Sequence, residues 1–142
     1  MKQRSLVLVA VVLVAAVAGG FYASQAASSS SSARSTTVDI QILGGVGTGT
    51  VDTYSPDNFT VAQGERVTLA VLNTDDNTHG LVITAFGVDT GKILPGDTAR
   101  VSFIANQTGT FKFFEPPGYC TGGVGKVCNS LQHMIGNMTV EP

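Results

Sequence analysis

The sequence predicts an all-β fold, a Greek-key β-sandwich, set behind an N-terminal apolar leader helix. Three observations point there. Past residue 37 apolar residues alternate with polar ones, clusters of turn-forming residues interrupt the alternation at short intervals, and no stretch keeps a helical period.

The elements follow in order. Lys2 and Arg4 precede an uncharged, largely apolar stretch of 18 residues, Leu6 to Ala23. A short basic region followed by an apolar one is the pattern of an export signal, and 18 residues is near the lower limit for a helix that spans a bilayer. Residues 1–23 are therefore read as a signal peptide or a membrane anchor, and the weak small-residue site at Ser24-Gln25-Ala26 leaves both readings open. Residues 24–37 (SQAASSSSSARSTT) are low-complexity and Ser-rich, a flexible linker. The folded domain is expected over 38–142. Val38, Ile40 and Ile42 alternate with Asp39 and Gln41; Val67, Leu69 and Val71 with Thr68 and Ala70; Val101 and Phe103 flank Ser102; Phe111 and Phe113 flank Lys112. Between the runs lie Gly44-Gly45, Ser55-Pro56-Asp57-Asn58, Gln63-Gly64, Asp75-Asp76-Asn77, Pro95-Gly96-Asp97 and Gln107-Thr108-Gly109. Half-buried strands at this spacing, about seven of them, make a sandwich.

Composition narrows the function. Residues 34–142 carry six basic and ten acidic side chains, a net charge of −4, which argues against nucleic acid as a partner. The segment Gly44–Thr50 (GGVGTGT) lacks the Lys-Ser/Thr ending of a phosphate loop and reads as a plain loop. Sequons at Asn58, Asn106 and Asn137 are short, frequent patterns. No Ser-His-Asp set or carboxylate pair suggests an enzyme.

The residues able to do chemistry are few and clustered. The chain has two His, two Cys and three Met. His133, Met134 and Met138 lie close together with Cys120 and Cys128 just upstream, while His79 stands in the polar loop NTDDNTHG. Loops at one end of a sandwich meet in space, which brings His79 within reach of the 115–138 segment. Imidazole, thiolate and thioether together form a soft, mixed donor set suited to electron-transfer copper, and Cys128-x4-His133-x4-Met138 places one of each in a single loop. Zinc suits the set less well, because structural zinc takes four Cys or His ligands.

These residues resemble the cupredoxin (blue copper) family. Tyr54–Asp75 (YSPDNFTVAQGERVTLAVLNTD) is similar to the family's second and third strands. Asp76–Phe103 resembles the matching part of cytochrome oxidase subunit II, where a His follows D-x-x and a Pro-Gly turn lies downstream. Gly109–Phe114 (GTFKFF) resembles the strand that enters the ligand loop, and Met134–Glu141 (MIGNMTVE) the last strand. The resemblance implies copper as cofactor, His79 as the upstream ligand, and Cys128 and His133 as thiolate and imidazole of the loop. It also has departures. Glu115 stands where the family's ligand Cys usually falls, and the cysteines are spaced C-x7-C rather than the C-x3-C of a dinuclear centre. Ligand spacing makes Met138 the axial donor, whereas strand register makes it Met134 and turns Met138 into the core.

Each residue also has a bland reading. Cys120 and Cys128 can simply pair as a disulfide, the default for two cysteines in an exported chain; His79 can be a solvated loop residue, and the methionines core filler. If the disulfide forms, the copper donors reduce to His79, His133, a Met and Glu115. The expected function is a non-enzymatic, extracytoplasmic copper carrier of electrons. It would be membrane-anchored or secreted, serving a respiratory chain through a redox protein or a terminal oxidase. The alternatives are a copper chaperone or storage module, and a metal-free structural domain.

Overall fold

The computed structural model describes residues 34–45, 51–121 and 134–142. The leader and most of the Ser-rich linker lie outside them. Nine strands run in order through the described residues: β1 Ser35–Leu43, β2 Thr53–Ser55, β3 Asn58–Ala62, β4 Arg66–Asn73, β5 Val82–Ile83, β6 Val88–Asp89, β7 Thr98–Ile104, β8 Gly109–Phe114 and β9 Ile135–Glu141. One 3-10 turn, Thr84–Phe86, joins β5 to β6. Among the described residues no helix is long and apolar enough to cross a membrane.

The strands form two sheets, ordered β2-β1-β4-β7 and β3-β9-β8-β5-β6. β1 runs parallel to β4, and β3 parallel to β9, so the chain crosses between sheets rather than folding as a simple meander. β1 starts at Ser35, inside the stretch read as linker, because Ser35–Thr37 pair with Arg66–Thr68 on β4. Ladder hydrogen bonds need only backbone, so a polar Ser-Thr sequence serves there as well as an apolar one.

The alternating residues fill the space between the sheets. Ile40, Ile42, Val67, Leu69, Val71, Phe103 and Phe113 are all buried. Phe113 packs against Tyr54 at a ring separation of 5.2 Å and Phe59 at 5.5 Å. Gly136 of β9 lies directly under that ring, and a Cβ there would collide with Phe113 and the Asp57 carbonyl. This close approach lets β9 sit flush beside β8 and fixes the chain on its way out of the site.

Candidate metal centre

The loop after β4 is built around one amide. Asn73, fully buried at the end of β4, donates from Nδ2 to the carbonyls of Asn77 (2.7 Å) and Ile93 (2.9 Å), and its Oδ1 accepts from the Asp75 N–H at 3.0 Å. A buried amide with its partners satisfied is a directional clamp. It folds NTDDNTHG back on itself and delivers His79 into the interior. His79 and Ile93 then exchange backbone hydrogen bonds of 3.1 and 2.7 Å, and Tyr54 Oη donates to the carbonyl of the next residue, Gly80, at 2.6 Å.

His79 is wholly buried and faces three carboxylates. Its Nδ1 lies 2.8 Å from Glu115 Oε1 and its Nε2 2.7 Å from Asp75 Oδ2, with Asp52 Oδ2 at 3.7 Å. Ionised carboxylates only accept, so both ring nitrogens donate when the ring is protonated. Burial alone would push the His79 pKa down, but the hydrogen bonds to Glu115 and Asp75, with the charges of Glu115 and Asp52, hold it above its ordinary value. Burial likewise works to raise Asp75, and the hydrogen bonds from His79 and from the Asp76 and Asn77 N–H groups overcome it and hold that carboxyl low. Burial, reinforced by the charge of Glu115, pushes the Tyr54 phenol far up.

Glu115 follows directly on β8, and its N–H donates to the Met134 carbonyl at 3.1 Å. Met134, buried, therefore begins the neighbouring chain beside it. Met138 does not share this position. It lies four residues further along β9, in register with Phe59 and Phe111, fully buried in the apolar core. At roughly 3.3 Å per residue that is about 13 Å of strand. Register thus sets Met134 beside Glu115, while Met138 lies further along the same inward face.

His133 and Cys128 lie outside the described residues. Cys120 is disulfide-bonded, and Cys128 is the one other cysteine of the sequence. A sulfur held in a disulfide is not a thiolate donor. Neither Asp52 nor Asp75 is among the candidates that the sequence alone picks out. Asp75 sits in the same loop as His79, four residues before it, a spacing that could have flagged it; Asp52 arrives from the segment before β2 and leaves no local trace.

The donor chemistry fits a cation. Three carboxylates around one imidazole concentrate negative charge in a largely buried place, which a bound cation would neutralise. One ring nitrogen is steered by Asp75, as outer carboxylates steer metal-binding imidazoles, while the other faces Glu115, next to the Met134 chain. An open cleft of about 240 Å3 lies alongside, lined by Asp52, Tyr54, Asp57, Met134 and Ile135 among others.

A family model described as a cupredoxin-like domain matches residues 10–122. Nitrous-oxide reductase of Stutzerimonas stutzeri is 33% identical over 93 residues, covering 63% of this chain and 13% of that protein. The enzyme of the same name from Pseudomonas fluorescens is 34% identical over 92 residues, again 13% of its length. The chain therefore spans only a small part of these curated relatives. Among solved structures, a copper-containing nitrite reductase from Thermus scotoductus aligns with a TM-score of 0.54 and 28% identity, over 77% of this chain and 28% of that one. Dithionite-reduced auracyanin from Roseiflexus castenholzii aligns with a TM-score of 0.55 over 77% of this chain and 99% of its own; at 23% identity it speaks for the fold.

Proposed function

The chain belongs to the cupredoxin-like domain family, and we propose that it is a copper protein working outside the cytoplasm as a carrier of single electrons. Copper is the metal that this family and these relatives support. The proposed ligands are His79, the Glu115 carboxylate, His133 and Met134, with Asp75 orienting the His79 ring. The carrying observation is the buried His79 imidazole set 2.8 Å from the carboxylate at the family's cysteine position.

Bound copper supplies one-electron exchange between its two oxidation states. The protein's part is to keep the donors still. The Asn73 clamp and the His79–Ile93 bridge hold the imidazole, the β8–β9 ladder holds Glu115 against Met134, and the core under Phe113 braces both strands. Rigid donors limit the rearrangement that accompanies a change of charge. Export is supported by the basic-then-apolar leader and by the disulfide at Cys120, since disulfides persist outside the cytoplasm. Delivery to a membrane respiratory chain or terminal oxidase, directly or through a redox protein, completes the reading; the apolar leader, if retained, would hold the domain at the membrane.

A second reading, a copper chaperone or store, is favoured by one observation: with Cys120 in a disulfide, the strong thiolate of an electron-transfer site is missing. Loading the purified domain with Cu(II), recording its EPR spectrum and titrating it with a one-electron reductant separates the two. The carrier reading expects one protein-bound copper, without an intense blue band, that cycles reversibly and stays bound. Copper lost to a chelator on reduction would favour the store, and no bound copper would overturn both.

A further inference from the structure

We infer that Asp52 and Cys120, sharing His79 with the copper site above, form a further donor set, a soft-metal site for Cu(I) that becomes available when the Cys120 disulfide is reduced. It rests on the copper reading above for the identity of the metal alone.

One ligand atom from each of the three residues lies within 4.8 Å of the other two. The backbone builds this meeting. Thr78 and Thr121 form an antiparallel bridge, exchanging hydrogen bonds of 2.9 and 3.2 Å. In antiparallel pairing the residue after one partner faces the residue before the other, so His79 is set against Cys120. The other flank of Cys120 is fixed too. The Tyr119 ring lies so close to Gly80 that a Cβ there would strike it, and the Tyr119 hydroxyl donates to the Asp89 carboxylate at 2.8 Å. The cysteine is therefore held beside the imidazole by a frame that does not depend on the disulfide.

The bridge sets what the sulfur can offer. In the disulfide it carries no charge and is a poor donor. A dithiol reductant supplies two electrons and two protons: the S–S bond breaks, S–H bonds form at Cys120 and Cys128, and the dithiol leaves as its own disulfide. The Cys120 thiol then stands beside the Asp52 carboxylate and the His79 ring. On binding, the metal takes the sulfur as thiolate while the proton passes to water. Thiolate with imidazole is a soft donor pair suited to Cu(I), which the copper reading chooses over zinc, with Asp52 balancing charge. The chain would thus hold copper through nitrogen, oxygen and thioether donors when oxidised, and gain a thiolate under reducing conditions.

The test compares Cu(I) affinity, by competition with a chromophoric Cu(I) chelator under nitrogen, in four samples. These are oxidised wild type, wild type reduced with a dithiol and desalted, Cys128→Ser and Cys120→Ser. Both variants lose the disulfide alike, and circular dichroism checks that both fold, so a purely structural effect would move them together. Reduced wild type and Cys128→Ser should bind at least about tenfold tighter than the other two, since losing even an outer-shell partner costs that much. They should also show the ultraviolet thiolate–Cu(I) charge-transfer band. Equal affinity in all four, or a gain in Cys120→Ser matching that of Cys128→Ser, overturns the inference and leaves the copper function standing. Absence of copper binding in every sample, Cu(II) included, overturns both.

Discussion

The Phe113 ring at the apolar centre and the His79 ring at the polar end are both fully buried but are held by different forces. Around Phe113, contacts are non-directional: rings and aliphatic chains exclude water, and each residue touches several others of similar kind. Around His79, every contact has a named partner and a direction: Asn73 to two carbonyls, the imidazole to two carboxylates, Tyr54 to the Gly80 carbonyl. The first region sets how firmly the domain folds. The second sets where a charged group can sit inside it. The boundary runs between two methionines of the apolar cluster: Met138 lies within β9, and Met134, just before that strand, accepts at its carbonyl from the Glu115 N–H.

Mutations should separate the two regions. Phe113→Ala removes the largest fully buried side chain among the described residues and should lower unfolding free energy by about 3–5 kcal/mol in denaturant titration, the range for large aromatic truncations in a core. Asn73→Ala removes three hydrogen bonds from the loop. It should cost about 1–3 kcal/mol by leaving buried partners unsatisfied, and copper affinity should fall with it because the clamp on His79 is lost. A Phe113→Ala protein that still folds should keep its copper affinity better than Asn73→Ala does; the reverse order would erase the distinction.

Smaller effects sharpen it. Met138→Leu should cost less than about 1.5 kcal/mol, as volume-conserving swaps do, and leave the EPR spectrum of the copper form unchanged. Met134→Leu should alter that spectrum at a similar stability cost. A Met138→Leu spectrum that changes as much would return Met138 to the ligand set.

The smallest effect is one of pH and lies far from the site. Glu65 is buried, and its carboxylate accepts from Thr36 Oγ1 at 2.6 Å and the Ala62 N–H at 3.0 Å. Those hydrogen bonds hold its pKa below the ordinary carboxylate value in the folded state. Its contribution is therefore fully present above the unfolded pKa and is lost as pH falls through the folded one. Melting curves of wild type and Glu65→Gln should converge on acidification through that window; a constant gap would show that the charge of Glu65 contributes nothing.

The two regions also differ in how far the sequence reveals them. Alternation finds β1, β4, β7 and β8 because burial on one face of a strand repeats every second residue, as Ile40–Ile42 and Val67–Leu69–Val71 do. β5 and β6, two residues each, are too short to carry a period, and β1 reaches back to Ser35 through backbone pairing that side chains do not announce. In the site, His79 stands out by residue type and loop context. Asp52 does not, because it approaches from a distant segment. The choice between Met134 and Met138 depends on the pairing of Met138 with Phe111, a matter of register that loop spacing leaves open. Cysteine spacing, likewise, is compatible with a thiolate or a bridge, and Cys120 is bridged.

In the proposed function the His79 imidazole anchors the copper site. Isothermal titration of the oxidised, metal-free domain with Cu(II), run beside His79→Gln, tests it most directly. Saturation is expected at one copper per wild-type chain, with no comparable binding in the variant. Unchanged affinity and stoichiometry in His79→Gln would contradict it.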